Sequence, residues 1–301
     1  MPPTSRAPRR VAAALLTVAV AGATALQTGT ADAAPSRLVP TAEARAAGVQ
    51  PGNATMGWRQ QFPTEGRSAS SDASGQRSAG SGSSATAVKK AFVPSGVLGI
   101  DVSSWQGNVN WASHARAGKR FAYVKATEGT GYKNPYFASQ YRGAYQAGLI
   151  RGAYHFANPS SSGGKTQAQV FARSGGGWTP DGRTLPGVLD IEYNPYGATC
   201  YGKSKTAMVT WIRDFTREYK RLTKRDAVIY TTTDWWRTCT GNSPAFSTTN
   251  PLWLARYGPS VGTLPAGWGW ATFWQYTDKP LDQNRFSSTY ARLKVLATHA
   301  G

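Results

Sequence analysis

Short apolar runs alternate with helical stretches after residue 96, and this alternation constrains the fold more than any other feature of the chain. The runs predict strands at 97–101, 121–126, 150–156, 188–191, 227–231, 252–255 and 271–275. Helices are predicted between the earlier runs, at 111–117, 135–147, 165–173 and 203–222. Alternating units of this kind favour a parallel sheet covered by helices, which is an α/β fold. An eight-stranded barrel whose late helices are shortened or lost fits the number of runs.

The fourth apolar run ends in two acids that are one residue apart, Asp190 and Glu192. Side chains at positions i and i+2 of a strand point to the same side, so the two Cβ atoms are expected about 6–7 Å apart. Two carboxyl groups at that distance resist ionising together, and one keeps its proton near neutral pH. A proton donor beside a fixed anion is what cleavage of a glycosidic bond requires. The alternative is a strand end that carries two hydrated acids.

Other predicted strands also end in acids or aromatic residues. In a barrel of parallel strands, chemistry is found where the strands end. The residues at or just after these ends are Asp101, Glu128, Tyr154, Tyr230, Trp274 and Asp282. Residues 97–301 contain only 11 acidic residues, so capping and solvation do not readily explain this concentration at one rim.

Five sequence blocks carry a resemblance to a known family. They are 99–107 (Gly-Ile-Asp-Val-Ser-Ser-Trp-Gln-Gly), 125–129 (Lys-Ala-Thr-Glu-Gly), 152–156 (Gly-Ala-Tyr-His-Phe), 189–192 (Leu-Asp-Ile-Glu) and 274–276 (Trp-Gln-Tyr). In content and order they resemble glycoside hydrolase family 25, the Chalaropsis-type lysozymes, and most of all the secreted muramidases of filamentous soil bacteria. The resemblance implies an irregular TIM-like (β/α)5β3 barrel. It also implies hydrolysis of the β-1,4 bond between N-acetylmuramic acid and N-acetylglucosamine in peptidoglycan.

The resemblance also implies roles for individual residues. Glu192 is expected to be the general acid, and Asp190 to stay ionised and steer the substrate's own 2-acetamido group, with net retention. Direct attack by Asp190 is the alternative. Asp101 and Asp282 are expected to act electrostatically on this pair. The expected substrate-binding residues are Glu128, Tyr154, Tyr193, Tyr230 and Trp274. His155 is expected to be structural, and neither a metal nor another cofactor is expected.

The chain ahead of the predicted barrel divides into two parts. Residues 1–34 predict a signal peptide, because arginines precede an apolar run at 11–25 and a small-x-small cleavage pattern at 31–33. The run is too short to span a membrane, so we expect a secreted, extracellular protein, by the general or the twin-arginine route. Residues 35–95 predict a mostly disordered leader or linker, because the stretch at 67–86 is almost wholly Ser, Gly and Ala. Residues 96–301 are left as the catalytic barrel domain.

Two cysteines, Cys200 and Cys239, are present. An even number of cysteines in an exported chain predicts a disulfide. The bridge would close a loop of about 40 residues, worth roughly 4 kcal/mol in the chain-entropy model. Two buried free thiols are the alternative.

The net charge of the chain is +19, and residues 97–301 have 24 lysines and arginines against 11 acids. A basic surface favours polyanions, and anionic wall polymers suit an enzyme that acts on peptidoglycan. Nucleic acid is not an expected partner, because the chain has no Cys/His metal motif and no helix-turn-helix pattern. The remaining alternative is a non-catalytic polysaccharide-binding module on the same barrel, which is expected to have lost one of the four acids. We expect the chain to act as a monomer.

Overall fold

The computed structural model describes residues 38–50, 52–54, 56–59 and 94–299. The predicted signal peptide and the part of the predicted leader at 60–93 lie outside these residues.

Strands and helices alternate through most of the described chain. In order they are α1 (Ala42–Ala46), β1 (Val97–Val102), α2 (Trp111–Arg116), β2 (Phe121–Glu128), β3 (Tyr132–Lys133), α3 (Phe137–Gln146), β4 (Ile150–Phe156), α4 (Gly164–Phe171), β5 (Val188–Asp190), α5 (Lys205–Thr223), β6 (Val228–Thr231), α6 (Thr233–Thr240), β7 (Leu252–Ala255), β8 (Phe273–Thr277), β9 (Gln283–Phe286) and α7 (Tyr290–Thr298). No helix in these described ranges is long and apolar enough to cross a membrane.

Eight of the strands close into a barrel in the order β1, β2, β4, β5, β6, β7, β8, β9 and back to β1. The strands from β1 to β8 pair in parallel, whereas β9 is antiparallel to both of its neighbours, β8 and β1. The short strand β3 forms a hairpin with β2 outside this ring. The predicted irregular barrel is therefore confirmed.

Aromatic side chains fill the barrel near the ends at which its strands begin. The ring of Tyr123 lies 4.8 Å from that of Trp253 and 5.6 Å from that of Phe273, measured between centroids. All three side chains are fully buried. Inward-pointing residues of a small barrel fill its interior in this way, so the polar side chains further along the strands lie at the carboxyl end.

Helix α5 covers the outside of the barrel with one apolar face. Ser204 caps its first turn by accepting a hydrogen bond from the backbone of Ala207. The face consists of Trp211, Phe215 and Tyr219, which are buried and whose rings stack in sequence. This spacing of four residues places the side chains on one side of a helix.

Three elements late in the chain were not predicted: β9, α6 and α7. Strand β9 reads Gln-Asn-Arg-Phe, which has no apolar alternation, and it exists because β1 and β8 each offer it an edge to pair with. Helices α6 and α7 have 8 and 9 residues, which agrees with the expectation that the late helices are short.

Residues 38–50, 52–54 and 56–59, called here the N-terminal segment, pack against the barrel. The sequence placed them in the leader or linker ahead of the barrel, and their packing on the barrel was not predicted. Their apolar side chains Val49, Met56 and Trp58 are buried, and the backbone N–H of Thr41 donates to the carbonyl of Pro195 at 2.8 Å. Unlike the Ser/Gly/Ala stretch at 67–86, these residues have apolar groups to bury.

Candidate active site

Asp190 and Glu192 lie at the carboxyl end of β5 and are fully buried. Burial raises the pKa of Glu192 to about 8, although the N–H of Gly57, which donates to this carboxyl, lowers it in part. Burial, and next the negative charge of Glu192, raise the pKa of Asp190 well above its ordinary value. The pair therefore holds at least one proton at neutral pH, as a general acid beside a second carboxyl group requires.

Asp101 and Asp282 form a second pair of carboxyl groups at the same end of the barrel. The Oδ2 atom of Asp101 accepts hydrogen bonds from Gln275 at 3.0 Å and from Asn284 at 2.6 Å. Burial raises the pKa of Asp101 to about 6, with these amides opposing the shift. Burial, and then the charge of Asp101, raise the pKa of Asp282, towards whose Oδ1 atom Tyr257 points its hydroxyl at 3.4 Å.

The four predicted acids face a common space. The negative charge of Asp101 raises the pKa values of both Asp190 and Glu192. The hydroxyl of Tyr154 lies in the field of Asp101, Asp190 and Asp282 together. Residues far apart in the chain thus meet where the barrel strands end, and four acids here are enough to hold a proton and to stabilise a cationic transition state.

Glu128 and Lys125 form a buried ion pair beside these acids, with 2.5 Å between Nζ and Oε2. The register of β2 against β4 shifts between Lys125 and Thr127. A bulge of this kind breaks the alternation of a strand and lets residues three apart turn to one side. Tyr196 also donates to Glu128. Glu128 therefore lies beside the acids, and its role in substrate binding stays a prediction.

The three tyrosines expected to bind substrate, Tyr154, Tyr193 and Tyr230, lie at or beneath the site, and their role in binding stays a prediction. Tyr230 donates to the Oε1 atom of Gln275 at 2.8 Å and so orients the amide that holds Asp101. Tyr193 follows Glu192 directly and donates to Asp234 of α6 at 2.7 Å.

The structure does not bring Trp274 to the acids. Side chains alternate along β8, and Gln275 occupies the inner face, so Trp274 lies on the outer one. Its indole N–H donates to the carbonyl of Arg256 at 2.8 Å, and the Arg285 guanidinium lies 5.6 Å from its ring centroid. The neighbouring Gln275 is the residue of β8 that contacts Asp101, and substrate binding by Trp274 stays a prediction.

His155 has a structural place in β4, as expected. Its Nδ1 atom is 2.7 Å from the hydroxyl of Thr127, and its Nε2 atom is 2.9 Å from the Oε1 atom of Gln167. Burial lowers its pKa to about 4, so the ring is neutral at neutral pH.

Several polar residues of the site were not singled out from the sequence: Lys125, Tyr196, Tyr257, Gln275 and Asn284. Lys125 and Gln275 stand inside the recognised blocks, so a signal for them was present. Asn284 could have been found only by recognising β9.

The predicted disulfide between Cys200 and Cys239 is present. It links the loop after β5 to α6, next to the contact between Tyr193 and Asp234. Within the described ranges, no group of three or more His, Cys, Asp or Glu side chains is arranged to hold a metal ion.

The N-terminal segment lies directly over the acids. The backbone N–H of Gly57 donates to Oε1 of Glu192 at 2.6 Å, and the backbone N–H of Ala54 donates to Oε2 of Glu128 at 2.8 Å. The carbonyl of Ala54 accepts from Lys125.

Comparison with known proteins gives concordant matches. A family model described as glycosyl hydrolases family 25 matches residues 100–284. Lysozyme M1 of Streptomyces globisporus is 50% identical over 213 residues, which cover 68% of this chain and 72% of that protein. The N,O-diacetylmuramidase of Chalaropsis sp is 47% identical over 209 residues, which cover 67% of this chain and 99% of that protein. The crystal structure of a bacterial lysozyme from Streptomyces coelicolor matches with a TM-score of 0.67 at 53% identity, covering 69% of this chain and 99% of that one.

Proposed function

The chain belongs to glycosyl hydrolases family 25, and from that membership we propose that it is a lysozyme that cleaves the β-1,4 bond between N-acetylmuramic acid and N-acetylglucosamine in peptidoglycan. The observation that carries the proposal is the buried pair of Asp190 and Glu192 at the carboxyl end of β5. Glycoside cleavage needs a carboxylic acid that is still protonated at working pH next to a second carboxyl group, and this pair supplies both.

Glu192 is the general acid of the proposed reaction. With the N-terminal segment in place, burial raises its pKa to about 8, and a bound glycan strand that excludes water would keep the proton on Glu192 in the same way. As the glycosidic bond breaks, that proton passes to the leaving oxygen, and the positive charge that develops on the sugar faces Asp190, Asp101 and Asp282.

Asp190 orients the substrate's 2-acetamido group, whose carbonyl oxygen attacks the anomeric carbon and gives net retention. Among the described residues no N–H group donates to either carboxyl oxygen of Asp190, whose polar neighbour is the carboxyl group of Glu192. A buried acceptor without a donor is costly, and the N–H of an acetamido group would satisfy it.

The proposal extends to where the enzyme works. The signal-like sequence at 1–34 and the predicted extracellular disulfide support secretion, and the basic charge supports attraction to anionic polymers of the wall. The enzyme acts as a monomer on peptidoglycan.

Digestion of purified peptidoglycan, followed by mass analysis of the new reducing ends, tests the proposal. New N-acetylmuramic acid ends are expected, whereas N-acetylglucosamine ends or released peptides would contradict it. Glu192→Gln is expected to keep the fold and abolish the new ends, because an amide cannot donate the proton. Asp190→Asn is expected to be severely impaired.

A further inference from the structure

The N-terminal segment places its own backbone where the scissile bond of a substrate must lie. The general acid has to approach the glycosidic oxygen within hydrogen-bond distance. In this structure the N–H of Gly57 lies 2.6 Å from Oε1 of Glu192 and occupies that position. A glycan strand cannot reach Glu192 while Gly57 is seated there.

The fit around Gly57 is close on all sides. A Cβ atom at this position would lie 2.7 Å from Oε1 of Gln275, 2.9 Å from the hydroxyl of Tyr230 and 3.0 Å from that of Tyr257. The backbone of Gly57 also has a φ of +73°, which favours glycine. Only glycine can therefore occupy position 57 without displacing barrel side chains.

The residues on either side of Gly57 anchor it in the pocket. The side chain of Met56 is buried in the same apolar cluster as Tyr154 and Tyr230, inside the barrel. The indole N–H of Trp58 donates to the carbonyl of Tyr193 at 2.9 Å.

A second group of contacts holds the start and end of the segment. Arg59 forms a salt bridge with Glu43 at 3.0 Å, which joins the two ends of the segment to each other. The guanidinium of Arg59 lies 4.6 Å from the ring centroid of Tyr193. Asn53 donates to the hydroxyl of Ser104 at 3.0 Å, on the side of the pocket formed after β1.

The segment also satisfies the ion pair of the pocket. The N–H of Ala54 donates to Glu128 and its carbonyl accepts from Lys125, so both buried charges gain a partner. Hydrogen bonds to charged groups are stronger than neutral ones, and here they are made away from water.

From these contacts we infer that the N-terminal segment is an intramolecular inhibitor that occupies the substrate pocket and must leave it before peptidoglycan can bind. The inference rests on the proposed function for the identity of the excluded substrate. Because inhibitor and pocket belong to one chain, the effective concentration is high and modest affinity is enough.

The size of the inhibition follows from the fraction of molecules with an open pocket. If about 1% are open, the apparent affinity for substrate, and with it kcat/KM, is lowered about 100-fold. A substitution that displaces Gly57 from the pocket is expected to recover the lost kcat/KM without altering any residue of the barrel.

Gly57→Val in the full chain tests the inference, with Ala46→Val as its matched control. Both residues lie in the N-terminal segment, but Ala46 is exposed and its backbone is helical, so a valine there introduces no strain from a positive φ. On purified peptidoglycan we expect Gly57→Val to raise kcat/KM about 10- to 100-fold, and Ala46→Val to stay close to the unsubstituted chain. Equal kcat/KM for the unsubstituted chain and Gly57→Val would overturn the inference.

Amide hydrogen exchange supplies a readout that does not depend on activity. The N–H groups of Ala54 and Gly57 are expected to exchange slowly in the unsubstituted chain and quickly in Gly57→Val. Exchange at the rate of an unfolded peptide in the unsubstituted chain would overturn the inference. If the N–H groups of Ala54 and Gly57 lose their protection from exchange in Gly57→Val and no muramidase activity appears, the binding of the segment in the pocket is upheld. The proposed function is then contradicted.

Discussion

Asn284 holds Asp101 in place across the seam where the barrel closes, with 2.6 Å between its Nδ2 atom and the Oδ2 atom of the carboxyl group. Asn284 is itself oriented, because the indole N–H of Trp253 donates to its Oδ1 atom at 3.0 Å. Asn284 lies on β9 and Asp101 lies on β1, and these two strands pair antiparallel at the seam. Asp101 is therefore positioned by a strand that has no counterpart in a regular parallel barrel.

Asn284→Ala is expected to raise the pKa of Asp101 above about 6, because the lost amide is one of the groups that lowers it. The lost charge-assisted hydrogen bond is expected to lower kcat about 10- to 100-fold. The measurement is the pH profile of kcat in the Gly57→Val background, so that the N-terminal segment does not mask it. Arg285→Ala is the control, since the adjacent side chain turns outward over Trp274. An unchanged pH profile would contradict a positioning role for Asn284.

Glu192→Gln is expected to stabilise the full chain at high pH and to change it little at low pH. The pKa of Glu192 is about 8 in the folded chain against an ordinary value of 4.5, so the unfolded chain binds fewer protons between these two values. The contribution of Glu192 to stability is therefore fully present below about pH 4.5 and is lost as the pH rises towards about 8. Thermal unfolding of both proteins between pH 4 and pH 9 gives the difference, and a difference that is constant with pH would refute the raised pKa.

Removing the disulfide is expected to destabilise the chain by about 4 kcal/mol, since the bridge closes a loop of about 40 residues. The double variant Cys200→Ser/Cys239→Ser, unfolded by denaturant, measures this loss. The unsubstituted protein unfolded in the presence of a reducing agent is the control and should match the double variant. A loss below about 1 kcal/mol would mean that the bridge contributes little in this loop.

Binding to intact cell walls is expected to weaken as salt is added. Residues 97–301 have 24 basic against 11 acidic residues, and ions screen attraction to a polyanion over about 8 Å at physiological ionic strength. Sedimentation with walls measures binding, and Glu192→Gln avoids digestion during the assay. Walls stripped of phosphate polymers are expected to bind less protein and to show a smaller salt effect. Equal binding to both walls at all salt concentrations would contradict a role for charge.

The sequence was sufficient for the parallel part of the barrel and for the positions of the four acids. Short apolar runs predict strands β1 to β8 of the barrel. The acids at the ends of these strands are expected on one side of the barrel, because parallel strands all end on the same side. The position of Lys125 could not be derived in this way, because it depends on a bulge in β2 that no residue type marks. The face of β8 on which Trp274 lies is likewise decided by the register of the strand and not by the aromatic character of the residue.

The packing of the N-terminal segment was beyond the sequence for a different physical reason. Val49, Met56 and Trp58 show neither helical nor strand periodicity. The contacts of Trp58 with Tyr193 and of Gly57 with Glu192 each join residues that are 135 positions apart in the chain. Local patterns carry no information about a surface that forms only when the rest of the chain has folded.

The last strand of the barrel also sets the time at which the site can exist during synthesis. Asp101 is translated more than 180 residues before its partner Asn284 and the neighbouring Asp282. A nascent chain that still lacks β9 leaves β1 and β8 each without a pairing partner at the seam, and its set of acids is incomplete. A working hydrolase can therefore form only after β9 has been synthesised.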